Sequence, residues 1–170
     1  QKAGLVIVVA KTDTSAGSKG ISLFLVEADL PGFSKGKNLQ KLGLKAQDTS
    51  ELFFQDVKVP KGNLLGEEGR GFIYLMQDLP QERLSIAVGA VANAQAIMEV
   101  TVNYTKERKA FGTTVASFQN TQFKLAELAA EVTSAEVFSD RCTELLLEGK
   151  LDTVTASKLK LLTTDLQCKV

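Results

Sequence analysis

The hydrophobic period of this chain changes once, at about Gly69, and that change confines it to a fold with a β part followed by a helical part. Before Gly69 the apolar residues come in short strand-like runs. Leu5-Val6-Ile7-Val8-Val9-Ala10 is one, too short to span a membrane, and Ile21-Ser22-Leu23-Phe24-Leu25-Val26 is another. A loop rich in Thr, Ser and Gly separates them, from Thr12 to Gly20, and Pro31-Gly32 marks a turn. Strand signals resume over Lys37 to Leu44 and over Glu51 to Val59, closed by Pro60. From Phe54 onward the second of these alternates apolar and polar residues, as a half-buried antiparallel strand does.

Beyond Gly69 the spacing of apolar residues becomes three and four. Pro80 predicts a break, so a short helix from about Gly71 to Asp78 is expected, then a long one with Asp78 as its N-cap. The long helix would carry Leu84, Ala87, Val88, Val91, Gln95 and Met98 on one face. Small residues at Ser85, Gly89, Ala90, Ala92 and Ala94 would let a helix or a ligand come close. A third helix, roughly Phe118 to Leu147, shows Leu125, Leu128, Ala129, Val132, Ala135 and Cys142 at helical spacing. Gly149 ends it, and Asp152 to Cys168 makes a fourth. The class is α+β, with β structure in the first third, a helical bundle in the rest, and no internal repeat.

Composition removes several functions. Twenty Lys and Arg balance twenty Asp and Glu, so net charge points to neither nucleic acid nor an anionic membrane. Cys142 and Cys168 are too few and too far apart for a zinc pattern or a disulfide framework, which suits a reducing compartment. There is no histidine, which excludes Ser-His-Asp and Cys-His nucleophile chemistry and histidine-ligated metals. A general base must be a carboxylate, a lysine or a tyrosine. The chain opens on Gln1 and stops at Val170 without a helix-ending signal, so a piece of a longer protein is expected.

Two features could carry chemistry. Glu82 follows Pro80-Gln81 at the expected helix start, and Arg108-Lys109-Ala110-Phe111-Gly112 lies at the far end of the same stretch. At about 1.5 Å per residue they are roughly 40 Å apart, too far for one small-molecule site. Each has a plain structural explanation, since the macrodipole favours acids in a first helical turn and bases in a last one. Gly66, Gly69 and Gly71 do not form a phosphate loop, because the spacing is wrong and no Lys-Ser/Thr follows. Tyr74 reads most simply as a core residue of the short helix.

In combination the blocks are more specific. Leu42-Gly43-Leu44-Lys45-Ala46-Gln47-Asp48-Thr49-Ser50, then Leu52 to Pro60, then Leu64-Leu65-Gly66-Glu67-Glu68-Gly69-Arg70-Gly71-Phe72, then Arg108 to Gly112 with Phe118-Gln119, together resemble the acyl-CoA dehydrogenase family in order and spacing. The resemblance covers essentially the whole chain, and Leu79-Pro80-Gln81-Glu82-Arg83-Leu84 is most similar to the long-chain branch. It implies the later part of a central antiparallel β domain over residues 1–66. Residues 67–170 would then be the first helices of a C-terminal four-helix bundle through which dimers pair into tetramers.

The resemblance also implies chemistry: FAD-dependent α,β-dehydrogenation of fatty acyl-CoA to the trans-2-enoyl-CoA, with electrons passed to an electron-transfer flavoprotein. The compartment implied is the mitochondrial matrix, or the cytoplasm in a bacterium. Glu82 matches the α-proton base of the long-chain and isovaleryl branches, a role for which burial should raise a carboxylate toward neutrality. Arg83 is then expected to turn away, toward ligand or solvent. Arg108 would pair with the FAD diphosphate of the partner subunit, with Lys109, Ala110, Phe111, Phe118 and Gln119 in the same corner. The family often has Thr where Ala110 stands, so only backbone can serve there. Ser18, Lys19, Tyr74, Pro80, Gln81 and Arg83 fall where the family touches acyl-CoA. No metal and no integral membrane segment are implied. The segments that hold the isoalloxazine and complete the adenine site would lie outside residues 1–170, so the piece alone is not expected to bind FAD tightly. Two alternatives remain: an acyl-CoA oxidase-like enzyme, and a non-catalytic helical assembly scaffold.

Overall fold

The computed structural model describes residues 2–170, which divide into two compact units, 2–76 and 77–170. In the first, β1 (Leu5–Lys11) pairs antiparallel with β2 (Ile21–Glu27), with Leu5 opposite Glu27 and Lys11 opposite Ile21. β3 (Phe33–Asn38) and β4 (Ser50–Phe54) form a separate antiparallel pair, and the short β5 (Leu64–Leu65) adds to the free edge of β2.

The first strand of the second pair is therefore earlier than the expected Lys37 to Leu44. Phe33 sits opposite Phe54 with ring centroids 5.1 Å apart and an edge-on contact, which fixes the register four residues upstream of Lys37. Residues 39–49 form a loop in which Leu42 is fully exposed and Leu44 takes a φ of 47°. The following strand ends at Phe54 rather than Val59, because Asp56 turns the backbone into the left-handed region at φ 52°.

Helix α1 runs unbroken from Gly71 to Glu107, and Pro80 lies inside it. This corrects the expected pair of helices and the expected cap at Asp78. Proline removes the bond its own N–H would have given to the Met76 carbonyl and its ring crowds that carbonyl, and a helix gripped on one face can carry the combined cost of about 3 kcal/mol. The grip is a seam of buried residues at Leu84, Ala87, Val91, Ala94 and Met98, spaced three and four apart. Ala90 and Ala94 belong to the core, whereas Val88 and Gln95 of the expected face are exposed. The same helix contains an 18-residue window of mean hydropathy 1.4, long and apolar enough to cross a membrane.

A two-stranded hairpin, β6 (Lys109–Ala110) and β7 (Thr113–Thr114), follows α1. Helix α2 (Gln119–Leu147) then buries Leu128, Val132, Ala135, Ser139 and Cys142, again at alternating spacings of four and three, while the expected Ala129 is exposed. Asp152 caps α3 (Thr153–Lys169), accepting from the Val154 and Thr155 N–H groups at 2.8 and 2.9 Å. One core cluster joins Val91, Ala94 and Met98 to Leu128, Val132, Ala135 and Leu166. A second joins Leu84 and Ala87 to Cys142 and Leu159. The clusters take α1 in chain order and α2 in reverse, as antiparallel neighbours do. The alanines in both seams allow the helix axes to approach closely. Both cysteines are free, and burial pushes the Cys142 thiol pKa up, which leaves it a small packing residue.

Leu159 is fully buried at the centre of the second cluster. Leu159→Ala is expected to cost about 2–5 kcal/mol of stability, read as a lowered denaturant midpoint at unchanged slope.

Candidate functional site

The unbroken α1 changes the setting of Glu82. It stands about three turns inside the helix, so the macrodipole does not account for an acid there. Asp78, Gln81, Glu82, Ser85 and Ile86 line one open groove along the helix, the spacing that one helical face requires. Asp78, expected as a helix cap, and Ile86 are members of this face that the sequence did not mark as site residues. Reading the helix straight through Pro80 would have found them, since 78, 82 and 86 differ by four.

Within the groove Glu82 is exposed, and this chain does not supply the burial expected of a carboxylate base. Arg83, expected to turn toward ligand or solvent, is half-buried, as is Pro80. A carboxylate on a rigid helix beside the short Ser85 side chain can accept a proton from a molecule laid along the groove, with little side-chain bulk in the way.

Tyr74 belongs to the first unit. Its hydroxyl accepts a hydrogen bond from the Glu67 N–H at 3.1 Å, so it latches the turn before α1, a contact no periodicity argument could foresee. Ser18 and Lys19 lie in a single 3-10 turn, Gly17–Gly20, and both are exposed.

The other end of α1 forms a corner. Arg108 follows directly after the helix; its N–H donates to the Tyr104 carbonyl at 2.9 Å, and its own carbonyl accepts from Val115 at 2.8 Å. The hairpin turns on Phe111 and Gly112, both with positive φ, 54° and 82°, as a two-residue turn matched to the strand twist requires. Glycine adopts that geometry freely. A phenylalanine does not, and Phe111 is 97% exposed, so no burial within this chain offsets the strain. Its ring meets Phe118 edge-on at a centroid distance of 6.4 Å. Lys109 and Gln119 are exposed beside it, and Ala110 is half-buried in the hairpin, opposite Thr113. The corner thus combines an exposed aromatic face, two exposed cations and an amide. Those groups suit an anionic, aromatic dinucleotide such as FAD, with the guanidinium for phosphate oxygens and the rings for a planar heterocycle.

Comparison with known proteins gives the family. Residues 1–57 match the model of the acyl-CoA dehydrogenase middle domain, and residues 69–170 match that of the acyl-CoA dehydrogenase C-terminal domain. The mitochondrial long-chain specific acyl-CoA dehydrogenase of Rattus norvegicus is 53% identical over 165 residues, 96% of this chain and 38% of the rat protein. Among solved structures, an acyl-CoA dehydrogenase from Geobacillus kaustophilus superposes with a TM-score of 0.92 at 48% identity, covering 97% of this chain and 44% of that one. Butyryl-CoA dehydrogenase from Megasphaera elsdenii gives 0.89 at 40% identity, covering 96% and 43%. The chain therefore spans about two fifths of the length of these relatives. With family models matching nearly its whole length, and β and helical units that superpose on solved members, this chain belongs to the acyl-CoA dehydrogenase family.

Proposed function

We propose that the protein containing this chain is an FAD-dependent dehydrogenase of fatty acyl-CoA thioesters, forming the trans-2-enoyl-CoA, with Glu82 as the base. The observation that carries this reading is a carboxylate in mid-helix, facing an open groove, with neither a capping nor a core role. The proton lost in such a reaction is α to a thioester carbonyl, and a family member without histidine here has a carboxylate as its most suitable acceptor. Glu82 takes that proton. Gln81, Pro80 and Arg83 form the helix wall around it, and Ser85, Gly89 and Ala90 leave room for an acyl chain. Burial of Glu82, which raises a carboxylate toward neutrality, then comes from the bound thioester and from parts of the protein outside residues 1–170.

FAD, when bound, supplies the acceptor for the β-hydrogen as hydride. Arg108, with Lys109, would hold its diphosphate, and Phe111, Phe118, Gln119 and the Ala110 backbone would close around the dinucleotide. Because Arg108 and Glu82 are roughly 40 Å apart along one helix, the corner serves the FAD of a partner subunit. Catalysis then depends on a dimer, which pairs into a tetramer. Ser18, Lys19 and Tyr74 belong to the acyl-CoA side. The apolar length of α1 is read as a core and interface helix, without a membrane-spanning segment. The long-chain relative named above is mitochondrial and other relatives are bacterial, which supports the mitochondrial matrix or a bacterial cytoplasm as the site of action.

Assay of the whole flavin-loaded protein tests the reading. Enoyl-CoA formation that requires an electron-transfer flavoprotein is the expected result. Oxygen consumption without that acceptor would make it an oxidase, and absence of turnover with every acyl-CoA chain length would leave a helical scaffold.

A further inference from the structure

Ser22 is a polar residue, the second of β2, and completely buried. A buried hydroxyl is costly unless its bonds are made, and here they form a line. The Gly69 N–H donates to the Ser22 Oγ at 2.8 Å, and the Ser22 Oγ lies 2.9 Å from the Thr12 Oγ1. Thr12 in turn donates its hydroxyl to the Gly20 carbonyl at 3.4 Å. Each hydroxyl has one hydrogen, so when Thr12 gives its own to the Gly20 carbonyl the line runs from Gly69 to Ser22, from Ser22 to Thr12 and from Thr12 to Gly20. Bonds aligned in this way polarise one another.

The backbone around this line is packed too closely to slide. A Cβ on Gly20 would lie 1.8 Å from the Asp13 carbonyl oxygen. One on Gly69, where φ is +76°, would lie 2.6 Å from the Lys19 carbonyl oxygen. The Gly20 carbonyl also accepts the Thr12 and Asp13 N–H groups at 2.9 and 3.3 Å. These bonds draw the ends of the 12–20 loop together, while residues 11–19 are exposed. The relay is thus the internal fastening between an exposed loop and the chain that enters α1 two residues after Gly69.

We infer that Thr12 and Ser22 are positioning residues: their hydroxyl relay holds the loop bearing Ser18 and Lys19 in its binding conformation, and so sets affinity for acyl-CoA without taking part in the chemical step. The inference rests on the proposed contact of that loop with acyl-CoA. Neither hydroxyl is offered as a ligand to substrate. Without the relay the loop must be ordered by the substrate itself, and binding weakens accordingly.

The test is steady-state kinetics on the whole flavin-loaded protein. Thr12→Val keeps the shape of the side chain and removes its hydroxyl; it is expected to raise KM for acyl-CoA about three- to tenfold, with kcat within about twofold. Thr12→Ser restores the hydroxyl and should return KM to the parent value, which a purely steric role for Thr12 would not do. Ser22→Ala should repeat the effect with a lower melting temperature, since it also strands the Gly69 N–H. The double variant Ser18→Ala/Lys19→Ala reports on the loop contact directly. If that double variant raises KM while Thr12→Val lowers only the melting temperature, the relay is structural and the inference is overturned alone. Should the double variant leave KM unchanged, the loop does not bind acyl-CoA, and the inference falls with that reading.

Discussion

Glu82→Gln in the whole flavin-loaded protein is expected to lower kcat by roughly 10²–10⁴-fold, the range that a positioned general base contributes. Flavin content should stay at the parent level. Glutamine has the size and shape of glutamate and remains a good helix former, and position 82 is exposed on a helix whose buried seam lies at Leu84 and Ala87. The folded state therefore changes little, by about 0.5 kcal/mol or less. The loss falls on the one property the amide lacks, acceptance of the α-proton. Glu82→Asp should recover only part of the rate, because shortening the side chain withdraws the oxygen by more than 1 Å, and a displacement of that size can cost about 10²-fold. Loss of α-proton exchange from acyl-CoA in the Gln variant, with flavin still bound, would separate the proton step from hydride transfer. Parent-level turnover in Glu82→Gln would end the assignment of the base.

The sequence makes the helical half readable because burial there is periodic. Leu84, Ala87, Val91 and Met98, or Leu128, Val132, Ala135 and Cys142, announce one face each, and those faces are the buried ones. Ala90 and Ala94 were less visible: alanine is small enough for either side of a helix, and only the close approach of a neighbour decides which. Pro80 misleads for a different reason. Its local preference is to start or stop a helix, but the packing that follows it, from Leu84 to Met98, outweighs the hydrogen bond it removes. That misreading also hid the helical face containing Asp78 and Ile86.

In the β half, local propensity failed where pairing decides. Lys37 to Leu44 has strand-forming spacing, but the Phe33–Phe54 contact sets the register, so that the strand ends at Asn38 and residues 39–44 lie in a loop. The site was visible mainly through family resemblance. Physical reading of the residues gave Glu82 and Arg108 bland roles; the structure removes that role for Glu82, leaves Arg108 at the helix end, and adds the conformation of Phe111 beside it. Glu82 is no longer a first-turn acid, and Phe111 is an exposed aromatic held at positive φ. The hydroxyl relay had no sequence signal, because the partners of Ser22 are 10 and 47 residues away.

The second large effect is expected at Arg108, and it tests the dimer as well as the contact. A hydrogen bond between charged groups contributes about 1.5–3 kcal/mol, so Arg108→Ala should weaken FAD binding by roughly ten- to a hundredfold for each bond lost. Arg108→Lys keeps the charge but loses the planar fork, and should fall between parent and alanine variant. Phe111→Ala removes a strained exposed ring, so the folded chain itself should not suffer while flavin affinity drops. Mixing protomers decides which subunit Arg108 serves. In a dimer of one Glu82→Gln protomer and one Arg108→Ala protomer, cross-subunit use of Arg108 gathers both defects into one site. The other site then has an intact Glu82 from one chain and an intact Arg108 from its partner, so activity reappears in a mixture of two inactive parents under limiting FAD. If Arg108 served its own subunit, each site of the mixed dimer would keep one defect, and no activity would return. The complementation assay thus turns the roughly 40 Å between Glu82 and Arg108 into a functional measurement, because only a helix shared between two active sites can rescue one of them by exchange of partners.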